Sequence, residues 1–309
     1  MSDPPPGIAR AYFAVQAVLT LAWWIAVFVD DGIRAAMFGD ADPRIWVAPD
    51  VLFFAVTSLL AARLAAGSRA LTVVLAILLT WNAFVLVVFG WLSLDGGRGA
   101  WGVIAMAFAF TGSVLAGMRL AIGPLAAGRC FPSPLAIRPA AEASTARHLL
   151  RTFIQIVFFW GLFLGVLPWA IARLEIRWNL QWEPLLSPGI TITGWILFAT
   201  MGLLGLWSAV EMVIRGRGTP LPSDAARELV TTGPYPLVRN PMAVAGILQG
   251  IAIGLVHGSW LAVAYAFTGS LVWNTLARPY EEADLQARFG SAFEDYRRRV
   301  RCWIPRIGG

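Results

Sequence analysis

The chain of 309 residues contains no lysine and few charged residues of any kind. All 24 of its basic residues are arginine, and charged residues make up 14% of the chain against 58% hydrophobic residues. A soluble domain carries about 25% charged residues, so this composition excludes an ordinary soluble protein. Together with a mean hydropathy of +0.68, it predicts an integral membrane protein.

Cysteine and histidine are also scarce, with two of each. This scarcity excludes a disulfide framework and a zinc cluster, and we expect no metal site. Cys130 and Cys302 lie in segments that we place on the cytosolic side, where thiols stay reduced. His257 lies in an expected outer turn, where it is interpreted as an interfacial residue and not as a ligand.

Long apolar runs recur along the chain and predict an all-α polytopic protein, because about 20 apolar residues are needed to cross a bilayer. The first run is interpreted as a retained helix, since it is too long for a signal peptide. Eight spans are expected: Ala11–Val29, Val51–Ala66, Ala70–Leu92, Trp101–Leu120, Thr152–Ala172, Ile190–Val213, Met242–Val256 and Leu261–Ala277.

Arginine placement predicts the orientation of these spans. The acidic connection 30–50 is expected outside, whereas the arginine-rich segments 119–151, 215–240 and 278–309 are expected inside, with both termini. The net charge of +6 fits anionic headgroups better than nucleic acid, because the arginines flank the spans. Membrane lipids are thus expected partners and nucleic acid is not.

The link between spans four and five, rich in proline, alanine and glycine, is the best boundary candidate. We expect an N-terminal four-span region (1–122), a cytosolic linker (123–148) and a C-terminal catalytic region (149–309). The first region has few polar residues within its spans, Arg63 and Asn82 being the notable ones. After span eight, Leu285, Phe289, Phe293 and Tyr296 share one side of an amphipathic helix, expected along the membrane surface or folded back on the core.

Four ordered segments in the C-terminal region resemble the membrane methyltransferases that include isoprenylcysteine carboxyl methyltransferases and phospholipid N-methyltransferases. The segments are GRGTP (216–220), TTGPYPLVRNPM (231–242), RPYEEADL (278–285) and FGSAFEDYRRRVRCWIPR (289–306). The resemblance covers about residues 195–306. It implies a cytosolic site for S-adenosylmethionine (SAM) and a methyl acceptor that enters from the lipid.

The resemblance assigns SAM to residues of the first two segments. Gly216 and Gly218 permit close backbone approach, although a helix end is an equally good interpretation of Gly216. Tyr235 can stack on adenine or anchor a helix end at the membrane interface.

Arg239, Asn240 and Pro241 precede span seven, and they can hold the SAM carboxylate at a helix N-terminus. Arg239 alone is also typical of a positive-inside anchor. Asn240 and Ala243 stand where the family often has His and Tyr, so a general-base role at position 240 is not expected.

Glu281 and Glu282 follow span eight, where an unpaired carboxylate is costly. By the resemblance, one of them receives the SAM ammonium while the other pairs with Arg278 or Arg239. Glu282 and Arg278 are the expected catalytic residues. The alternative is a solvated helix start, which acidic residues favour.

The sequence therefore predicts a SAM-dependent methyltransferase of a bacterial plasma membrane, acting on a lipophilic acceptor: an isoprenoid carboxylate, a lipid amine or a thiol. Methyl transfer from a sulfonium needs no metal, and the oligomeric state stays open. Two other functions remain: a sterol-type reductase that uses NADPH, and a scaffold or lipid-binding protein without activity.

Overall fold

A computed structural model of the protein describes residues 7–39, 41–94, 97–123 and 137–305. Across these ranges the chain is helical and forms no named strand, which confirms the all-α expectation. Cys130 and most of the expected linker lie outside the described residues.

Ten α-helices order the described residues: α1 (Gly7–Val29), α2 (Asp31–Phe38), α3 (Arg44–Arg63), α4 (Arg69–Ser93), α5 (Ala100–Ala121), α6 (Thr145–Arg177), α7 (Pro188–Gly216), α8 (Pro241–Val256), α9 (Trp260–Val272) and α10 (Arg278–Arg299). Single π-helical stretches interrupt α3 at Val51–Val56 and α6 at Gly161–Val166. A third, Trp273–Ala277, joins α9 to α10.

Six of these helices, α1 and α3 to α7, are long and apolar enough to cross a membrane, so the chain is an integral membrane protein. The first six expected spans fall on them. Spans seven and eight fall on α8 and α9, which have 16 and 13 residues. At about 1.5 Å per residue, α8 is near 24 Å long, short of the roughly 30 Å of hydrocarbon. The count of eight spans and their sidedness stay predictions.

Polar side chains fix where several helices begin. Each accepts a hydrogen bond from the backbone N–H three residues later, which satisfies one of the donors that a helix start leaves free. The residues are Asp30, Ser68, Ser144, Ser187, Asn240 and Ser259.

The chain divides into two compact units. One comprises Met1–Ala127 with Arg177–Asn179, and the other Gly128–Ile176 with Leu180–Gly309. Within the second unit, α8 packs between α7 and α9 through small residues. A Cβ added at Gly194 would lie 2.9 Å from the Ala252 carbonyl, and one at Gly250 would lie 2.9 Å from the Ala266 Cβ. This packing, common among membrane helices, allows the backbones to approach closely.

The amphipathic helix α10 folds back on the second unit. It kinks at Gly290, whose φ of +52° is unfavourable for residues with a side chain. Beyond the kink, Phe293 and Tyr296 are buried against Val230 and Tyr235. Of the two placements expected for this helix, the structure thus has the one against the core. Its cytosolic location stays a prediction.

Candidate cofactor site

The hairpin of α8 and α9 brings two of the four ordered segments, 231–242 and 278–285, together at its open end. The Nη1 atom of Arg239, just before α8, lies 3.0 Å from the Oε1 atom of Glu282 in α10. Both side chains are largely withdrawn from water, with 12% and 13% of their surface exposed. Their pairing matches one of the two arrangements expected from the sequence.

This ion pair lies in the wall of a cavity of about 540 Å³, within the usual range for sites that bind small molecules. Six of the expected site residues line it: Tyr235, Arg239, Asn240, Arg278, Glu281 and Glu282. Phe159, Met212 and Trp273 add apolar surface. The cavity therefore offers both charges and an apolar wall.

Glu281 differs from its neighbour Glu282 because it forms no ion pair with any of the described residues. Burial raises the pKa of its carboxyl to about 7, and the nearby charges of Glu282 and Asp284 act in the same direction. Such a carboxyl gains from an arriving cation, since the cation compensates the negative charge that the cavity disfavours.

Two arginines in the wall keep unused hydrogen-bond donors. The Nε atoms of Arg239 and Arg278 are buried and have no hydrogen-bond acceptor among the described residues. The backbone N–H of Arg239 donates to the Arg301 carbonyl over 2.9 Å, which fixes the start of the side chain. Buried donors of this kind are normally satisfied, so they favour an anionic group in the cavity.

Asn240 caps α8. Its Oδ1 accepts from the Ala243 backbone N–H over 3.0 Å, and Pro241 occupies the first helical turn, where its missing N–H costs nothing. Asparagine is among the best residues for this position. The replacement of the family's frequent His thus leaves a well-formed helix N-terminus beside Arg239.

Tyr235 is buried, and both its polar groups are engaged. Its hydroxyl donates to the Ser208 carbonyl over 3.3 Å, while its carbonyl accepts from the Tyr296 hydroxyl over 2.8 Å. Burial is the main cause that raises the pKa of both phenols. The ring is consequently held in the cavity wall, and only its surface remains for a ligand.

Gly216 and Gly218 lie outside the described residues that line the cavity. A Cβ at Gly216 would lie 2.8 Å from the Ala226 Cβ, and one at Gly218 would lie 2.6 Å from the Ala226 Cα. Gly216 ends α7, and the left-handed residue that follows is Arg217, with φ of +52°. Close packing accounts for both glycines, and a cofactor contact at either stays a prediction.

Sequence reasoning missed the wall built from residues 219–226. Part of the expected linker pairs with this segment, since Arg138 N–H donates to Pro222 and Ala140 N–H to Ala225, each over 2.9 Å. Arg288, also unforeseen, donates to the Ala226 carbonyl over 2.5 Å and pairs with Asp284. The turn-rich sequence carries no periodicity that could have signalled these contacts.

The segment that follows α10, which contains Cys302 and Trp303, packs at the cavity. Cys302 lines the cavity, and Trp303 packs edge-on against Trp273 at 5.1 Å and donates to Asn274 over 3.1 Å. Burial raises the pKa of the Cys302 thiol, which the neighbouring Arg278 partly counteracts. The segment closes the cavity on the side of α10.

Comparison with known proteins matches the same region. The sequence model of the phospholipid methyltransferase family matches residues 190–292, about a third of the chain. The nickel-cobalt-cadmium resistance protein NccN of Alcaligenes xylosoxydans xylosoxydans is 29% identical over 175 residues, 56% of this chain and 75% of the relative. Methanethiol S-methyltransferase 2 of Bradyrhizobium diazoefficiens is 28% identical over 186 residues, 55% of this chain and 62% of the relative. No solved structure matches.

The resemblance seen in the four ordered segments is therefore confirmed. The family match, the similarity to a named methyltransferase and the apolar helices support a membrane methyltransferase.

Proposed function

We propose that this protein transfers a methyl group from SAM to a lipophilic or membrane-partitioned acceptor, on the cytosolic side of a bacterial plasma membrane. The observation that carries the proposal is the arrangement of the Arg239–Glu282 pair beside the unpaired Glu281. These three residues belong to the part of the chain that the family model matches, and they line one cavity of about 540 Å³.

The residues present fit SAM. Its carboxylate needs hydrogen-bond donors, which Arg239 and Arg278 offer as buried and unused N–H groups. Its ammonium needs an acceptor, which Glu281 offers. The ring of Tyr235 and the side chain of Met242 give apolar surface for adenine.

Each charged residue has a role in this proposal. SAM supplies a methyl group already activated on a sulfonium, so the protein has to position it and exclude water. Glu281 binds, Glu282 holds Arg239 in place through their 3.0 Å contact, and Arg278 provides a second cation beside the cavity.

The acceptor remains an isoprenoid carboxylate, a lipid amine or a thiol. The name of the Bradyrhizobium relative, a methanethiol S-methyltransferase, supports assaying thiols first. The long apolar helices around the site fit acceptors that dissolve in the bilayer.

The proposal is tested by titration calorimetry of the purified full-length protein with SAM, and in parallel with NADPH. We expect saturable SAM binding and none of NADPH. Glu281→Gln should weaken SAM binding about tenfold to a hundredfold, the worth of a charge-assisted hydrogen bond. Arg239→Ala and Glu282→Gln should act in the same direction.

Glu294→Gln is the matched control, because Glu294 is exposed on the same helix. Binding of NADPH alone would favour the reductase, and a folded protein that binds neither would favour the scaffold. Incubation with labelled SAM and either a small thiol or the copurifying lipids then identifies the acceptor class.

A further inference from the structure

The N-terminal unit contains its own cavity, of about 790 Å³, between α1, α3, α4 and α5. Its wall is mostly apolar and unusually rich in aromatic side chains. Four tryptophans line it: Trp23, Trp24, Trp46 and Trp81. Because none of the four segments of the methyltransferase site belongs to this unit, the cavity requires its own explanation.

One carboxylate lies in this apolar wall. Oδ2 of Asp50 accepts from the Trp24 indole N–H and Oδ1 from the Trp81 indole N–H, each over 2.8 Å. Asp50 is the one charged side chain among the described residues that line the cavity, and the ion pairs of the described residues do not include it. A charge within a membrane-spanning helix is costly unless a function or a partner compensates it.

The aromatic rings continue from this carboxylate along the wall. Trp24 contacts Phe38 with ring centroids 5.9 Å apart, and Phe38 contacts Phe89 at 6.4 Å. Aromatic faces attract cations, and the attraction grows when the site excludes water. A carboxylate in a wall of aromatic rings is therefore complementary to a single positive charge on an apolar body.

Gln16, the amide side chain of the wall, already has hydrogen-bond partners. Gln16 donates to Ser58 over 2.9 Å and accepts from Ser113 over 3.1 Å. Val15, Leu19 and Phe108, which also line the cavity, are exposed, so the cavity is open at these residues. A ligand can thus reach the cavity from the lipid, with Asp50 as the recognition group.

We propose that this cavity binds a lipophilic cation, an organic molecule with an apolar body and one positive charge. The carboxylate of Asp50 neutralises the charge, aromatic rings of the wall contact the cation, and the apolar wall holds the remainder. The inference does not depend on methyl transfer, because it rests on residues of the N-terminal unit alone.

Equilibrium binding of tetraphenylphosphonium tests the proposal, with tetraphenylborate as an anion of nearly the same size and shape. The full-length protein is placed in nanodiscs of zwitterionic lipid, and binding to empty nanodiscs is subtracted. We expect one saturable phosphonium site per chain, with the borate bound at least tenfold more weakly. Asp50→Asn should reduce phosphonium affinity about tenfold or more.

Two further variants separate recognition from folding. Asp31→Asn removes an exposed carboxylate of α2 and should leave phosphonium affinity unchanged. Ala105→Phe narrows the cavity and keeps Asp50, so it should weaken binding even if Asp50→Asn fails to fold, as judged by near-ultraviolet circular dichroism. Equal affinity for the two probes, binding no greater than to empty nanodiscs, or full affinity in a folded Asp50→Asn variant would overturn the proposal.

Discussion

At the scale of single residues, the two neighbouring glutamates of α10 have different surroundings. Glu282 is compensated by Arg239 at 3.0 Å, whereas Glu281 is withdrawn from water among other acidic groups. One residue of helical rotation, about 100°, separates a carboxylate that is already paired from one that can receive a ligand. This asymmetry supports the proposal that Glu281, and not Glu282, binds the SAM ammonium.

The raised pKa of Glu281 predicts a pH dependence of SAM affinity. Only the ionised carboxylate attracts the ammonium, so affinity should fall below about pH 7, where this carboxyl takes up a proton. It should also fall above about pH 8, where an α-amino group loses its charge. Calorimetric titrations between pH 5.5 and 9 should therefore give a maximum near pH 7 to 8.

Glu281→Gln should remove the fall on the acidic side and leave the fall on the alkaline side. Glu294→Gln should retain both. A wild-type affinity that is the same at pH 5.5 and 7.5 would contradict the role of Glu281, while leaving SAM binding by the arginines open.

At the scale of elements, the sequence predicts most of the long helices. Six apolar runs fall on six long helices. A run inside lipid must hydrogen-bond its backbone N–H and C=O groups internally, and a helix does this within one segment. The short α2 and the π-helical stretches were not foreseen. They lie where local contacts, and not the hydropathy of a run, decide the geometry.

The cavity was predictable only in part. Arg239 and Glu282 could be juxtaposed from the sequence because a short hairpin brings the ends of its helices together. Thr219 and Arg288 could not, since their positions depend on a turn-rich segment folded against α10. In the N-terminal unit, the sequence indicates Asn82 as a polar residue within a span, but it does not indicate the role of Asp50. The two indole N–H donors that hold Asp50 come from distant parts of the sequence.

The turn after α7 gives a prediction at the same scale. Gly218→Ala should destabilise the protein by about 1–3 kcal/mol, because the added Cβ would lie 2.6 Å from the Ala226 backbone and force the segment to move. Gly269→Ala is the matched control, since a Cβ there meets nothing within 4 Å. Denaturant titrations of both variants measure the difference. Equal stability would show that the close approach is not needed, and unchanged stability with weaker SAM binding would instead support a ligand role.

At the scale of the whole molecule, the two units carry different kinds of cavity. The C-terminal unit presents charges of both signs around its cavity, whereas the N-terminal unit presents a single carboxylate among aromatic rings. The first fits a zwitterionic, water-soluble ligand and the second a cation that dissolves in lipid. The two proposed ligands thus belong to units that are each compact on their own.

The orientation of the α8–α9 hairpin in the membrane can be tested directly, and the shortness of α8 makes the outcome informative. If the hairpin of α8 and α9 crosses the bilayer, the turn at His257 lies outside, although α8 has only 16 residues. A short span is accommodated by local thinning of the bilayer, so we expect the crossing. In a variant whose native cysteines are replaced by serine, a cysteine at His257 should react in intact cells with a maleimide that cannot cross membranes. A cysteine at Asp31 should react likewise, whereas one at Ser223 should react only after lysis. Labelling of the cysteine at His257 only after lysis would reduce the count to six spans and leave the hairpin on the cytosolic side.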